Sequence, residues 1–348
     1  MNKAFRATWL WMAGTLCLVA ILVSFPLLRG SASAPPAREA EATPAPTAAA
    51  VSDTQDTALP ALAFVTPPPT PTPTPAPTPF SFVWISDTQV YGWRFPDVYE
   101  AMARWIVEQR EARNFLGMLH VGDVIDNRRE EGHWKKISRG MDIMRGEIPR
   151  YVVAGNHDVG WPEPEYQTFL SYDFCDVREE SLLFNGGQCW VQPITAGGRN
   201  LLLLGIGWPG KSDVYLRWAE QQMDAYPTHT VVIVTHSFLA TNGLLYSEGL
   251  RLEALFADHP NLRLVICGHS GGEGKWEKVY DDGHTVTALM YNLQGMHMEK
   301  KGFGFLRILT FDSLRNTMEC VSYSPYLDEY NYYDAARDTF TIENVFID

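Results

Sequence analysis

Five short stretches hold the residues able to do chemistry: SDTQ (Ser86–Gln89), GDVIDN (Gly122–Asn127), GNHD (Gly155–Asp158), THS (Thr235–Ser237) and GHSG (Gly268–Gly271). Each closes an apolar run, so Asp87, Asp123, Asn156-His157, His236 and His269 stand where strands are expected to end. Carboxylate oxygens and imidazole nitrogens together suit borderline divalent metals such as Zn, Mn and Fe. A histidine beside such a cluster, as His157 is beside Asn156, is placed for proton transfer near neutral pH. Taken singly, each stretch has an ordinary explanation as a turn or a core histidine. Gln89, two residues after Asp87, raises a sharper question, because an amide is a poor partner for the metals that imidazole favours.

The elements that must position these residues are legible as alternating patterns. FSFVWIS, FLGMLHVG, RYVVAG, HTVVIVT and LRLVICG read as buried strands. Between them PDVYEAMARWIVEQREAR opens with Pro96, suited to a first helical turn, and keeps apolar residues at helical spacing. EGHWKKISRGMDIMRG, SDVYLRWAEQQMDAY and EGLRLEALFADHP read as further helices. Strands alternating with helices imply a largely parallel α/β sheet, whose ligands sit beyond the carboxyl ends of the strands. The later runs HTVTALMYNL, FGFLRILTF and NTMECVSYS follow one another without helices, which predicts an antiparallel second half.

In this order, on such junctions, the five stretches resemble those of the calcineurin-like metallophosphoesterases, over roughly residues 80–325. GDVID and GNHD, 33 residues apart from Asp123 to Asn156, are the most specific pieces. The resemblance implies an α/β fold, a four-layer α/β/β/α sandwich of two mixed sheets. It implies two divalent ions about 3.5–4 Å apart, which clamp the attacking and leaving oxygens of a phosphoryl transfer. It makes Asp123 the shared ligand, completes the second site with Asn156, His236 and His269, and begins the first with Asp87. His157 would protonate the leaving oxygen or steady the transition state, and Asp158 would orient its imidazole. Asp126 and Asn127 would hold loops.

Two departures fall on the first metal. Gln89 stands where the family usually has a histidine, and Gly271 replaces the second histidine of the last motif. A glutamine carbonyl is a neutral, hard ligand better matched to Mg or Mn than to Zn. One tight site and a weaker second are therefore expected, with Glu273 of GGEG within reach as a substitute ligand. SDTQ, NLQG (Asn292–Gly295) and SYSPYLDEY also resemble a bacterial branch of this superfamily. Tyr91, Trp93 and Arg94 are candidates for lining a pocket, with ordinary packing as the alternative.

The whole chain has 348 residues, 46% of them hydrophobic, and a net charge of −13. Residues 1–79 carry four basic side chains (Lys3, Arg6, Arg29, Arg38) and four acidic ones (Glu39, Glu41, Asp53, Asp56), so the remainder holds the whole excess. Such acidity, without a basic run, excludes a nucleic-acid-binding module. Ala7–Leu28 is 22 residues without a charge, long enough to span a bilayer, and Lys3 and Arg6 before it place the rest outside the cytoplasm. Residues 1–30 read as an anchor or a signal, 31–79 as a Pro/Thr/Ala-rich extended stalk, and 80–348 as the metallophosphoesterase domain. The domain would thus act at the cell membrane on a single-pass tether, or be secreted if the signal is cleaved. Cys175 and Cys189 bracket a loop-like insert, where a bridge would contribute about 3 kcal/mol in an oxidising compartment. Cys267 and Cys320 read as core residues, and nothing in the sequence speaks to oligomeric state. The expected function is metal-dependent hydrolysis of a phosphate mono- or diester. The alternative is a surface binding module of the same fold that keeps a metal but has lost turnover.

Overall fold

The structure, a computed structural model, describes residues 77–208, 213–293 and 304–347. The expected anchor and nearly all of the expected stalk lie outside the described residues. Among the described residues no helix is long and apolar enough to cross a membrane.

Along the chain run β1 (Phe80–Ile85), α1 (Gln89–Trp93), α2 (Pro96–Gln109), β2 (Phe115–His120), α3 (Glu131–Met144) and β3 (Arg150–Val152). Then come α4 (Asn156–Val159), α5 (Gln167–Ser171), β4 (Leu183–Phe184), β5 (Cys189–Ala196), β6 (Arg199–Ile206), α6 (Val214–Ala225) and β7 (Thr230–Thr235). They are followed by α7 (Ser247–Glu253), β8 (Leu262–Cys267), β9 (Gly272–Val279) and β10 (Thr285–Asn292). β11 (Leu306–Asp312), β12 (Thr317–Ser324), β13 (Glu329–Tyr330), α8 (Ala335–Asp338) and β14 (Thr339–Glu343) close the domain.

One sheet has the order β13-β12-β11-β1-β2-β3, with β14 on β12; the other runs β4-β5-β6-β7-β8-β10-β9. β1, β2 and β3 are mutually parallel, as are β6, β7, β8 and β10, while β11 and β12 are antiparallel. The expected antiparallel second half is therefore corrected at HTVTALMYNL. That run, β10, lies parallel to β8, and the antiparallel partner on its other side is β9.

Alternation along each strand sorts its side chains between two faces. Phe82, Trp84, Leu203, Val234, Ile266, Leu289 and Leu309 meet in the core between the sheets. Val83, Ile85 and Ile308 turn outward, onto Val98, Met102 and Ile106 of α2 and Trp134, Ile137 and Met141 of α3. Leu202, Leu204, Val231 and Ile233 pack on Leu216, Ala219 and Met223 of α6. Fully burying each such side chain contributes about 1.5–3 kcal/mol. The result is the expected four-layer α/β/β/α sandwich of two mixed sheets. Cys175 and Cys189 are free thiols, so the insert is not bridged here, and Cys267 and Cys320 are buried as expected.

Candidate metal centre

The parallel strands of both sheets deliver their following loops to one place. Asp87 comes two residues after β1, Asp123 three after β2, Asn156 opens α4 after β3, His236 directly follows β7 and His269 comes two after β8. Asp87, Asp123 and His269 have φ of 49°, 51° and 72°, left-handed values that L side chains seldom adopt. Such strain persists where surrounding structure enforces it, and it clusters at functional sites. The glycines of the motifs serve close approach: a β-carbon on Gly155 would collide with Asp123, and one on Gly268 with Asp87. Thr88 ties the first two loops together by donating its hydroxyl to the Val124 carbonyl at 2.8 Å.

Asp123, His236 and His269 each offer a ligand atom, all within 4.8 Å of one another. His236 Nε2 lies 3.3 Å from Asp123 Oδ1, 3.0 Å from Asn156 Oδ1 and 3.1 Å from His269 Nδ1. Its other nitrogen, Nδ1, lies 2.9 Å from the Val121 carbonyl, which can only accept, so Nδ1 carries a hydrogen. In neutral His236 the Nε2 lone pair then faces the Asp123 and Asn156 oxygens, a repulsive arrangement that a shared cation relieves. A metal-bound histidine commonly has its second N–H fixed in this way on a backbone carbonyl. Without a cation a proton takes that place: burial disfavours the charge on His236, but Asp123 outweighs it and raises the imidazole to about 9. Burial and the charge on His236 push His269 down to about 4, which keeps its ring neutral, the form in which an imidazole can bind a metal. Burial opposes ionising Asp123, yet His236 holds its carboxyl below the ordinary value. One carboxylate, one amide oxygen and two imidazole nitrogens around one point fit a divalent cation.

The other side of Asp123 is built differently. Gln89 donates its amide Nε2–H to Asp123 Oδ2 at 2.9 Å. Asp87 is fully buried, and its carboxylate accepts from the Ser86 hydroxyl and from the His269 backbone N–H at 3.1–3.2 Å. Burial pushes its carboxyl up to about 7. Asp87 and Gln89 thus border Asp123 but stand outside the convergent cluster. Glu273 is corrected as a substitute ligand. Its carboxylate is taken by Arg307 at 2.9 Å and Arg337 at 2.5 Å.

His157 sits on the rim, its side chain 39% exposed, with its backbone N–H donating to Asp123 Oδ1 at 2.9 Å. Its Nδ1 lies 2.6 Å from the Asp126 carbonyl, so Nδ1 carries a hydrogen and Nε2 is left for a reacting group. The orienting role expected of Asp158 is therefore corrected and passes to Asp126. Asp158 is fully buried and accepts three backbone N–H groups, from Val124 at 3.1 Å, Ile125 at 3.0 Å and Gly155 at 2.8 Å. It clamps the Asp123 loop to the Asn156 loop. Changing Asp158→Ala leaves three buried donors unpaired, at about 1–3 kcal/mol each, so a loss of about 3 kcal/mol or more is expected. Denaturant unfolding measures it; a loss under about 1 kcal/mol would show that the clamp is not what holds these loops.

Two aromatic residues at the centre escaped the sequence reading. The Trp208 ring lies 5.8 Å from His236 and 5.6 Å from His269, and Tyr246 lies 5.4 Å from His269. Trp208 follows β6 as the ligands follow their strands, so the strand-end rule would have found it. Tyr91 is a core residue rather than a pocket wall. Trp93 and Arg94 stack on each other, 3.7 Å from guanidinium to ring centroid.

Residues 80–272 match the family model of calcineurin-like phosphoesterases. The chain is 29% identical over 272 residues to an uncharacterized Bacillus subtilis protein, YvnB, covering 75% of this chain and 21% of that one. It is 24% identical over 160 residues to a probable glycerophosphodiester phosphodiesterase, GpdQ, of Arcobacter nitrofigilis, covering 44% of this chain and 55% of that one. The matches thus span about a fifth and about half of those relatives' lengths. The fold is shared with a dimetal phosphatase from Danio rerio, with a TM-score of 0.52 at 14% identity over 76% of this chain and 99% of that chain. A purple acid phosphatase from yellow lupin seeds gives a TM-score of 0.50 at 12% identity, over 78% and 55% of the two chains. With the motifs, the two-sheet sandwich and the converging strand-end residues in agreement, the chain belongs to the calcineurin-like phosphoesterase family.

Proposed function

We propose that this protein is a metal-dependent hydrolase of phosphate esters. The observation that carries the reading is the convergence of Asp123, Asn156, His236 and His269 on one point, with His157 beside it. Family membership implies divalent metal ions, and the donor set admits Mn, Zn, Fe or Mg. A cation bound there supplies Lewis acidity toward a phosphoryl oxygen and makes water a better nucleophile. The chain's own residues do the rest. Asp123 turns one oxygen to the ligand cluster and the other to Gln89. Asp126 fixes the tautomer of His157, whose Nε2, when protonated, gives its proton to the departing alkoxide. A panel of mono- and diesters with bound-metal analysis on residues 80–348 tests the assignment, and the name of the Arcobacter relative puts glycerophosphodiesters first among them. No turnover of any ester by metal-loaded protein would favour the second reading, a binding module with one metal. That reading is supported by Gln89, which spends its N–H on Asp123.

The proposal includes location. The uncharged run Ala7–Leu28 and the Pro-rich segment after it support a single-pass tether that holds the domain outside the cytoplasm. Protease added to intact cells should then release or degrade residues 80–348, whereas full protection until lysis would place the domain inside.

A further inference from the structure

A cavity of about 470 Å³ lies between the sheets, walled by Glu273 and Lys275 of β9, Leu289 of β10, Arg307 of β11, Arg337 of α8 and Phe340 of β14. It is tied to the metal centre through the chain itself. Glu273 follows His269 by four residues, so their Cα atoms are at most about 14 Å apart. Thr241, also on the wall, follows His236 by five residues.

The unusual member is Arg307. It shares the inward face of β11 with Leu309 and Phe311, and only 2% of it is exposed. Its guanidinium lies 4.1 Å from the Tyr291 ring centroid and 5.5 Å from that of Phe340. Taking a charge out of water there costs several kcal/mol unless it is paired. The carboxylate that pairs it, Glu273, is shared with Arg337, which is 49% exposed at the mouth and lies 3.7 Å over the Tyr333 ring. Two guanidinium groups share the Glu273 carboxylate, and the buried carboxylate of Asp338 brings the local charge close to neutral, so what the wall offers is uncommitted N–H donors rather than excess charge. Lys275 does not alter that balance much, because it pairs with Glu277 at 3.4 Å. Asp338, behind the wall, accepts from the N–H groups of Tyr333 and Asp334. Among the described residues Arg307 Nη1 has no hydrogen-bond acceptor, while Nε and Nη2 do.

We propose that this cavity receives a carboxylate carried on the alcohol part of the ester, a specificity pocket that rests on the phosphoesterase reading above. The open Nη1 of Arg307 and the half-exposed guanidinium of Arg337 offer N–H donors that a carboxylate can accept in charge-assisted hydrogen bonds. Leu289 and Phe340 offer apolar wall to the carbon skeleton between the two groups.

The test compares 3-carboxyphenyl phosphate with phenyl phosphate, as monoesters and as methyl diesters, with the metal-loaded protein. A kcat/KM preference of about tenfold or more for the carboxylated ester is expected, the scale of one charge-assisted hydrogen bond. Arg337→Gln, at a half-exposed position that tolerates exchange, and Arg307→Lys, which keeps the charge but not the fork, should each shrink that ratio to about twofold. Equal kcat/KM for the two esters, or a preference unchanged in both variants, overturns the pocket while leaving hydrolysis intact. If neither ester is turned over, the hydrolase reading is what fails. The pocket is then judged by calorimetric binding of benzoate to chelator-stripped protein, where the metal centre cannot hold the carboxylate. Wild-type binding that weakens about tenfold in Arg337→Gln supports the pocket, and no binding or equal binding overturns it.

Discussion

Replacing His157 with alanine is expected to lower kcat by about 10² or more while the bound metal stays in place. The imidazole is not among the converging ligands; only its backbone N–H touches Asp123. The substitution keeps that N–H and removes just the ring. The variant should therefore lose the proton donor and keep the site that holds the cation. Burial disfavours the charged ring, but the carboxylate of Asp123 and the carbonyl and carboxylate of Asp126 raise its pKa above the ordinary value. A donor must be protonated, so kcat should fall as pH rises through the pKa of His157. In His157→Ala this alkaline limb should vanish along with most of the rate. An ester whose leaving group is already a good anion, such as a nitrophenolate, needs no proton and should be hurt far less than an alkyl ester. Metal content that collapses together with activity would make His157 a ligand and end its assignment as the acid.

The residues that converge at the candidate site were legible in the sequence because parallel strands are buried on both faces. Phe80–Ile85 and Thr230–Thr235 are buried throughout, so each reads as an unbroken apolar run with an abrupt polar end. What the sequence hid were partners without a side chain. Asp158 binds three backbone N–H groups, and His157 is oriented by the carbonyl of Asp126, neither of which a motif displays. Edge position hid β9: Lys275, Glu277 and Val279 are exposed, so a strand that pairs along β10 looks like a charged loop. His120 shows the opposite hazard. It sits three residues before Asp123 and is fully buried, yet its Nδ1 accepts from Gly122 N–H and its Nε2 faces the Thr88 hydroxyl. Burial pushes it down to about 3, and it braces the loops as a neutral ring.

Gln89→His combined with Gly271→His should raise the metal retained after dialysis from about one ion per chain toward two. Asp123 divides its oxygens between two neighbourhoods. Oδ1 faces His236, and Oδ2 accepts the amide N–H of Gln89. The glutamine thus meets with a hydrogen bond the charge that a first-site cation would otherwise meet. Asp87 nearby is occupied by Ser86 and by the His269 N–H. Oxygen ligands alone would hold Mn or Mg loosely and Zn poorly, so the native first site should refill from Mn or Mg and empty on dialysis. Two imidazoles reverse that preference. Gly271 can accept one: it is exposed, its φ is not left-handed, and a β-carbon there meets no heavy atom within 4 Å. Gln89→His alone removes the N–H on Asp123 and adds one nitrogen ligand, so it should gain an intermediate amount of metal. Elemental analysis after dialysis decides between these outcomes. Two ions already retained by the unmodified chain would mean that Asp87, Gln89 and Asp123 suffice, and the inequality of the two sites would be withdrawn.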